Sequence, residues 1–549
     1  MTQALMPFCD FQAFSVGTWS LLPAVQVLAL QTLTPLQKAS WIHESLQALH
    51  SLLASWGCEW TWLDGTPYET LTQDSLGNAR YAFGMVSFPH TTTERNHPSV
   101  FLLEPDASVW QHAEAFQSWL MAQTSRLQTM QPSAEALQNA YLTREGASWS
   151  PFMLSRVGSA WTYWAYELGV LLEPQAFAPS KTTAVSNMIP SLQQAIPCAV
   201  IQPAMAWVGI DWDTSTFYVA WHHSLSQTQR NALSETLQSI LGFSAETLPQ
   251  WQTSRVQAEA ISWQMPQATY EQCSHTLQQG IAKGEFYQAN LSLQAHLKVP
   301  RSYDPLTDWV ARYTENPAPF SALWYAPYSL KAQGASWLLS HSPERLILQT
   351  PEYTHTHLLA SWKLSTRPIA GTRSRGTTSA EQKALEEALR SVPKEQAEHA
   401  MLVDLLRNDL GRLCDAGSVK VTEYQTIERY RYVTHLVSNI EGKCEKPSSH
   451  LFSLLQAMFP GGTITGCPKW RCMTWLFQQE NVPRTFYTGS SGYWHAHTQT
   501  IDWNILIRSA MFYTKEAKLI CHGGAGIVAD SIASHEYKES LKKMRHFTH

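Results

Sequence analysis

A helical pattern in the second half of the chain carries carboxylates beside apolar residues. In KEQAEHAMLVDLLRNDLGR, residues 394–412, Glu395, Glu398 and Leu402 recur at helical spacing. This spacing places the carboxylates on the helix face that the apolar residues also approach. The same pattern is typical of a solvated Glu/Lys helix start, so it marks candidate residues and not yet a function.

A second acidic helix is predicted near the C-terminal end of the sequence. In SHEYKESLKKM, residues 534–544, Glu536, Glu539 and Lys543 occupy positions i, i+3 and i+7, which share one helix face. Such a row is ordinarily a set of surface ion pairs. Two carboxylates on separate helices can, however, share a hard cation such as Mg²⁺, which prefers carboxylates and water and leaves positions open for an anionic substrate.

Two glycine-rich segments could bring backbone N–H groups close to an anion. They are FPGGTITGCPK, residues 459–469, and HGGAGIVADS, residues 522–531. Glycines permit the close approach of backbone donors, and Thr463, Thr465 and Lys469 would add side-chain donors. The first segment lacks the GxxxxGK[ST] spacing, so it is not a P-loop.

Two single residues in apolar strand patterns are further candidates. Arg508 ends the apolar run in IDWNILIRSA, and a guanidinium beside a buried run requires an anionic partner. His435 lies in the apolar strand pattern of YVTHLVSNIEG. Taken alone, Arg508 is also consistent with an edge position, and His435 with a hydrogen-bonded core histidine.

The composition predicts a folded protein without a membrane span. The 549 residues are 44% hydrophobic and 15% charged, with 23 Trp, which argues against a disordered or coiled-coil chain. The net charge of −5 provides no basic field for nucleic acid, and no run of about 18 apolar residues is present. Scattered cysteines without a CxxC pair, and no secretory signal in the first residues, favour a reducing, cytoplasmic environment.

The elements that must position these residues fall into two regions, 1–265 and 266–549. The first region is rich in Gln, Ser, Thr, Leu and Trp, and its alternating apolar stretch at 159–174 predicts a strand or a strand–helix junction. Residues 122–150 and 173–197 lack strong periodicity and are predicted to be surface loops. The candidate residues all lie in the second region.

In order along the chain, the motifs between residues 267 and 547 resemble those of the chorismate-utilising enzymes. This is the family of anthranilate synthase component I, aminodeoxychorismate synthase component I, isochorismate synthase and salicylate synthase. The motifs are GEFYQANLS, SPERLI, RPIAGTRSRG, AEHAMLVDLLRNDLGR, YVTHLVSNIEG, FPGGTITGCPK and GAGIVADSIASHEYKESLKK. The resemblance implies an α/β (α+β) fold like that of anthranilate synthase component I, with two interleaved subdomains around a β-sandwich. Region 266–549 would be the chorismate-binding catalytic domain, and region 1–265 a divergent counterpart of that protein's N-terminal region.

The resemblance also implies roles for individual residues. It implies that Glu398 and Glu539 bind Mg²⁺, with Glu536 beside the ion. The ion would in turn bind the ring carboxylate of chorismate. The enolpyruvyl carboxylate would lie on Tyr493 and Arg508. The other implied substrate-binding residues are Gly524, Gly526 and Lys543, and the implied catalytic residues near the ring are Glu344, His435 and Thr463. Glu344 would transfer a proton to or from the departing 4-hydroxyl.

Local sequence differences within the family favour amination of chorismate. FPGGTITGCPK is similar to the segment of the ammonia-using branches, GGSITGAPK or AGTLSGAPK, and not to that of the branches that add water. Asn290 in YQANLS resembles the aminodeoxychorismate pattern YQVNL more than the anthranilate pattern FQVVL, and the two glycines before Thr463 agree. We therefore expect an aminodeoxychorismate synthase component I, which would make 4-amino-4-deoxychorismate for 4-aminobenzoate and folate synthesis.

Ala370 keeps an alternative open. The best-described aminodeoxychorismate synthases read PIKGT at this point, and their Lys attacks C2 of chorismate; anthranilate synthases read PIAGT, as this chain does. Alanine has no nucleophile, so that covalent route is closed at this position. Anthranilate synthase component I is therefore the alternative, and a non-catalytic chorismate-binding relative is a second one. No segment resembles the PGxCxGxQ motif of glutaminases, so ammonia is expected from a separate glutamine amidotransferase subunit.

Overall fold

The computed structural model describes most of the chain between residues 14 and 548. The described residues are 14–16, 19–21, 25–26, 33–56, 58–64, 81–87, 99–142, 149, 153, 156–178, 180–212, 214–243, 248–251, 258–327, 335–353, 359–430, 433–445 and 451–548. Every candidate residue lies within these ranges, except that the side chain of Glu395 is outside the described set.

Helices occur along the whole described chain. They are α1 (Pro35–Ser55), α2 (Val109–Met130), α3 (Ala134–Leu142), α4 (Gly169–Leu172), α5 (Pro174–Phe177), α6 (Val185–Met188), α7 (Gln227–Leu241), α8 (Gln267–Ala282), α9 (Pro305–Glu315), α10 (Ser379–Ser391), α11 (Pro393–Gly411), α12 (Leu451–Met458), α13 (Lys469–Gln479) and α14 (Ala533–Thr548). The two acidic helices predicted from the sequence are α11 and α14, so both predictions are confirmed.

The strands form two sheets. They are β1 (Phe14–Val16), β2 (Trp19–Leu21), β3 (Val25–Gln26), β4 (Glu59–Asp64), β5 (Tyr81–Ser87), β6 (Val100–Leu103), β7 (Ala160–Trp164), β8 (Ile196–Gln202), β9 (Ala206–Asp211), β10 (Thr216–His222), β11 (Ala260–Trp263), β12 (Gln288–Lys298), β13 (Phe320–Ala326), β14 (Ser336–Ser342), β15 (Arg345–Tyr353), β16 (Leu359–Arg367), β17 (Ile369–Ser374), β18 (Lys420–Arg429), β19 (Val433–Cys444), β20 (Gly466–Cys467), β21 (Ser490–His495), β22 (Thr500–Asn504), β23 (Ser509–Tyr513) and β24 (Lys518–Ile527).

Each sheet takes strands from both regions of the sequence. The first sheet runs β1-β2-β10-β9-β5-β4-β13-β14-β23-β24-β12-β11, with β3 beside β10 and β20 beside β12. The second runs β17-β19-β16-β15-β22-β21-β7-β8-β6, with β18 beside β19. The sheets pack against each other through aromatic rings, since Trp161 of β7 and Trp324 of β13 have ring centroids 4.2 Å apart. The predicted β-sandwich with interleaved halves is therefore confirmed, and the predicted domain boundary at residue 265 falls between β11 and α8.

Helices cover the outer face of the first sheet. The helices α1, α7, α8, α9 and α14 bury apolar side chains there, and the removal of that surface from water holds them in place. Examples are Trp41, Leu237, Leu277, Trp309 and Met544. A second core lies between the sheets and under α2 and α12.

Strand β12 has one apolar face and one polar face, and both are buried. Alternation sends Ala289, Leu291, Leu293, Ala295 and Leu297 into the core beneath the outer helices. On the opposite face of the strand, Gln288, Asn290, Ser292 and Gln294 are at most 7% exposed. A buried polar face must find hydrogen-bond partners within the protein.

The ion pair between Arg484 and Glu480 supplies several of those partners. Glu480 Oε1 accepts from the backbone N–H of Ser292 at 3.0 Å and from its hydroxyl at 2.9 Å. Arg484 Nε and Nη2 donate to the Glu480 carboxylate, each at 2.7 Å. The guanidinium also donates to the carbonyls of Asn290 and Ile464. The pair therefore joins β12, the end of α13 and the first glycine-rich segment.

Of the two segments predicted to be loops, one is largely helical and the other is mostly irregular. Residues 122–142 continue α2 and form α3, and Leu127 and Leu137 are buried there. The segment 173–197 contains α5, α6 and the start of β8. The prediction was wrong for residues 122–142 because the apolar residues that pack are widely spaced among Gln, Ser and Thr, which hides the helical period. Residues 143–148 and 150 lie outside the described residues.

Two expectations from composition can be compared with the described residues. Across those ranges no helix is both long and apolar enough to cross a lipid bilayer. The cysteines that the structure describes are all free thiols, which agrees with the absence of a disulfide pattern in the sequence.

We predict that Arg484→Met destabilises the fold strongly. The side chains of Arg484 and Glu480 are 1% and 6% exposed, and the removal of one partner from a buried pair leaves the other charge without compensation. The free energy of unfolding should fall by about 3 to 5 kcal/mol, measured by urea denaturation. Arg471→Met is the matched control, because the Arg471–Glu285 pair is half-exposed and should contribute less than about 1 kcal/mol. Equal losses in the two variants would contradict the role given to Arg484.

Candidate active site

Two glycines of β24 form the floor of the candidate site. A Cβ atom on Gly524 would lie 2.4 Å from Asn290 Oδ1, and one on Gly526 would lie 2.6 Å from Gln288 Nε2. The second would also lie 3.7 Å from Glu398 Oε1 of α11. A side chain on either glycine would force these neighbouring atoms to move. The backbone of β24 therefore faces the polar side chains of β12 and α11 directly.

Glu344 occupies a buried position where three elements meet. It lies between β14 and β15, is 5% exposed, and its Oε1 accepts from the Thr463 hydroxyl at 3.0 Å. Burial raises the pKa of Glu344 to about 7, although the Thr463 hydrogen bond, the positive charge of Lys543 and the backbone N–H of Ile369 act in the opposite direction. A carboxyl with this pKa can hold or release a proton near neutral pH.

His435 lies on β19 next to the segment that contains Ala370. Its Nδ1 is 2.9 Å from the hydroxyl oxygen of Thr372 on the paired strand β17. Burial lowers the pKa of His435 to about 3; the positive charge of Arg508 adds to this, and a hydrogen bond with the backbone of Gly371 opposes it. The imidazole is therefore neutral at physiological pH.

Arg508 lies at the turn between β22 and β23. Its backbone has a φ of +52°, which is uncommon for a residue with a side chain, and its Nη1 donates to the Lys543 carbonyl at 3.4 Å. Burial lowers the pKa of Arg508, while Tyr487 and Glu539 act to raise it. The guanidinium remains charged and is close enough to His435, Tyr487 and Glu539 to interact with them electrostatically.

Helix α14 brings a second cation and a carboxylate to the same floor. Lys543 Nζ donates to the Gly524 carbonyl at 2.9 Å and pairs with Glu539 Oε1 at 2.8 Å. Burial acts to raise the pKa of Glu539, but the charges of Lys543, Lys542 and Arg508 outweigh it, so the pKa is lowered. Glu536 Oε1 accepts from the Ser531 hydroxyl at 2.8 Å. Glu539 is therefore an anion beside the glycine floor.

The predicted metal ligands approach this floor from two helices. Glu398 of α11 lies against Gly526, while Glu539 of α14 is joined through Lys543 to Gly524. Within the described ranges, no three His, Cys, Asp or Glu side chains lie together in a way that could enclose a metal ion. Mg²⁺ needs only one or two carboxylates, because water and substrate oxygens complete its coordination. The carboxylate donors are compatible with that ion, but the structure does not assemble Glu398, Glu536 and Glu539 into a cage.

Most of the predicted site residues come together around the glycine floor, whereas Tyr493 bonds to Arg156 and Glu536 to Ser531. The Tyr493 hydroxyl accepts from Arg156 Nε at 2.6 Å, and the other charges that affect its pKa are those of Asp502 and Arg345. The residues that interact around the glycine floor are Glu344, Glu398, His435, Thr463, Arg508, Gly524, Gly526, Glu539 and Lys543.

Tyr487 is the aromatic residue that lies at the floor. Its hydroxyl oxygen is 2.8 Å from the position that a Cβ of Gly524 would occupy, and its ring stacks on His522 with centroids 4.9 Å apart. The segment RTFYTGSSGYW contains both tyrosines, and strand alternation alone could not choose between them. Between the two tyrosines, Thr488 has a φ of +58° and β21 begins at Ser490.

Comparisons with known proteins agree with this arrangement. Residues 89–549 match the family described as chorismate binding enzymes. The chain is 41% identical over 285 residues to an anthranilate synthase component I-like protein from Synechocystis sp., a match that covers 52% of this chain and 54% of that one. It is 39% identical over 274 residues to aminodeoxychorismate synthase component 1 of Bacillus subtilis, covering 50% and 53%. The chain thus spans about half the length of the curated relatives it matches.

Solved structures share the fold over nearly the whole chain. Anthranilate synthase component I from Streptococcus pneumoniae aligns with a TM-score of 0.58 at 23% identity, covering 88% of this chain and 95% of that one. The menaquinone-specific isochorismate synthase of Escherichia coli aligns with a TM-score of 0.59 at 16% identity, covering 98% and 97%. At these identities the likeness shows the fold, and it confirms the predicted resemblance to the architecture of anthranilate synthase component I.

Glu344→Gln is expected to make the protein more stable above neutral pH. The folded-state pKa of about 7 exceeds the ordinary value of 4.5, so the folded protein binds the proton more tightly and stability falls as the pH rises between these values. Glutamine can still accept from Thr463 but does not ionise. Its free energy of unfolding at pH 8 should therefore exceed that of the wild type by up to about 3 kcal/mol, with no gain at pH 4. Chemical denaturation at pH 4 and pH 8 measures this, with the exposed Glu387→Gln as control. If the variant and the wild type differ in free energy of unfolding by the same amount at both pH values, Glu344 is not a buried ionisable group.

Proposed function

Because the chain belongs to the chorismate binding enzyme family, we propose that it is an aminodeoxychorismate synthase component I. It would replace the 4-hydroxyl group of chorismate with an amino group and release water. The observation that supports this most directly is the meeting of a protonatable carboxyl, Glu344, with two cations, Arg508 and Lys543, around the glycine floor. A dianionic substrate with a hydroxyl leaving group requires this combination.

Arg508 would hold one carboxylate of chorismate. Its guanidinium is charged, partly buried and adjacent to Tyr487, whose hydroxyl can donate to the same anion. The backbone groups of Gly524 and Gly526 border the other side of the substrate, and the half-exposed Lys543 adds positive charge at that edge. These residues would fix the ring over β24.

The second carboxylate would be bound beside the acidic helices. We propose that Glu398 and Glu539, with Glu536 nearby, bind Mg²⁺, which when bound would supply the positive charge that the ring carboxylate needs. Glu539 is suited to this role because its neighbours hold it in the anionic form. Its present partner, Lys543, lies on the next turn of the same helix and would be free to face the substrate.

Glu344 would protonate the departing 4-hydroxyl. A carboxyl with a pKa near 7 is substantially protonated at neutral pH, and it passes its proton to the leaving oxygen as the C4–O bond breaks, so that water departs. Thr463 fixes the orientation of the carboxyl by donating to Oε1. His435 is neutral, so near the ring it would act as a hydrogen-bonding group and not as a cation.

The choice of product depends on two residues that lie near the site. Asn290, which favours the aminodeoxychorismate branch, is 7% exposed and touches the glycine floor. Ala370, which favours the anthranilate branch, is 7% exposed and follows Ile369, whose backbone N–H contacts Glu344. With alanine there, ammonia must attack the ring without a covalent lysine adduct. Anthranilate synthase component I is therefore the second candidate.

Ammonia would come from a separate glutamine amidotransferase subunit. The proposal follows from the family and from the lack of a glutaminase motif in this sequence. The aminated product would then feed 4-aminobenzoate and folate synthesis. Ammonium salts can replace such a subunit in a test, because free ammonia reaches an open site by diffusion.

We predict that the protein converts chorismate and ammonium into 4-amino-4-deoxychorismate in the presence of Mg²⁺. The reaction is run at about pH 8.5, where part of the ammonium is deprotonated, and half of each sample receives a 4-amino-4-deoxychorismate lyase. 4-Aminobenzoate should form only with the lyase. Fluorescent anthranilate formed without the lyase would contradict the proposal and support the second candidate, and Glu344→Gln should lower either product by about 100-fold or more.

A further inference from the structure

A β-bulge lies in the segment that contains Ala370. Ile369 of β17 is opposite Val437 of β19, whereas Thr372 is opposite His435, so three steps along β17 match two along β19. The extra residue is accommodated at Gly371, whose φ of +83° lies in the left-handed region that favours glycine. The bulge changes the direction in which the side chains before and after it point.

The two ends of this bulge contact the two groups assigned to the reaction. At the start, the backbone N–H of Ile369 bonds to the carboxylate of Glu344. At the end, Thr372 Oγ1 lies 2.9 Å from His435 Nδ1, and the backbone of Gly371 also bonds to this imidazole. The acid and the histidine are therefore positioned by one short stretch of backbone.

We propose that Thr372 is a positioning residue, whose hydroxyl fixes the ring orientation of His435. An imidazole that is hydrogen-bonded at Nδ1 presents its other ring nitrogen in a fixed direction toward a substrate. The ring of His435 is 8% exposed and meets the edge of the Tyr430 ring at 5.2 Å, which restricts rotation but makes no hydrogen bond. Thr372 is the side chain that makes a hydrogen bond to Nδ1.

Thr372 can be changed with little risk to the fold. Its side chain is exposed, and it pairs with β19 through the backbone. Thr372→Val keeps the shape and the strand preference but removes the hydroxyl, while Thr372→Ser keeps the hydroxyl. The proposal rests on the proposed function for its kinetic part, whereas the hydrogen bond itself can be tested without turnover.

The test measures kinetics and the imidazole of His435 in parallel. Thr372→Val should lower kcat for ammonium-dependent turnover of chorismate by about 10- to 100-fold with little change in KM, and Thr372→Ser should stay within about threefold of the wild type. In protein labelled with ¹⁵N-histidine, the imidazole nitrogen signals of His435, assigned with His435→Asn, should shift in the valine variant and return in the serine variant.

A matched control separates positioning from a general effect on the sheet. Thr422 of β18 also has a bonded hydroxyl, since it accepts from Asn439 Nδ2 at 2.8 Å on the adjacent strand, and Thr422→Val should leave both readouts unchanged. An unchanged kcat or an unchanged His435 signal in Thr372→Val would overturn the proposal. If the wild type shows no turnover of chorismate, the proposed function fails, and the NMR comparison still decides whether Thr372 holds the ring.

Discussion

The buried ion pair of Arg484 and Glu480 is the interaction on which the candidate site depends. Strand β12 carries a polar face into the interior, and Glu480 accepts from the backbone N–H and the side-chain hydroxyl of Ser292. Arg484 balances that carboxylate and reaches the carbonyls of Asn290 and Ile464. Burial would lower the pKa of Arg484, but Glu480 and Tyr166 outweigh it, so the pKa is raised and the charge is permanent. The pair thus sets the separation of β12 from the first glycine-rich segment, which carries Thr463.

With β12 in place, residues far apart in the chain reach one cleft. The glycine floor of β24 lies against β12, α14 brings Lys543 and Glu539 to one end, and α11 brings Glu398 to the other. The second sheet supplies His435, and the turn before β23 supplies Arg508. The cations Arg508 and Lys543 lie near the carboxylates of α11 and α14. A bound anionic substrate would neutralise the cations, and a metal ion would neutralise the carboxylates.

Much of this could be predicted from the sequence, and the limits have physical causes. Both acidic helices were recognisable because their carboxylates repeat at helical spacing, and the family motifs implied the sandwich. Periodicity could not single out Tyr487, because it precedes the strand that contains Tyr493 and approaches Gly524 only in the folded chain. It also could not show the β-bulge at Gly371, because a bulge is defined by a partner strand that lies about 60 residues away in sequence. The helices within residues 122–142 were missed because they bury few, widely spaced apolar side chains.

The central claim is that Arg508 and the carboxylates of α11 and α14 form one chorismate site that requires a divalent cation. Isothermal titration of chorismate into the protein, with and without Mg²⁺, tests this most directly, because it does not depend on turnover or on the ammonia source. We predict one equivalent of chorismate bound with Mg²⁺, and a loss of binding when Mg²⁺ is omitted or when Glu398→Gln or Arg508→Gln replaces the wild type. Binding of equal strength without the metal, or in Glu398→Gln, would contradict the account.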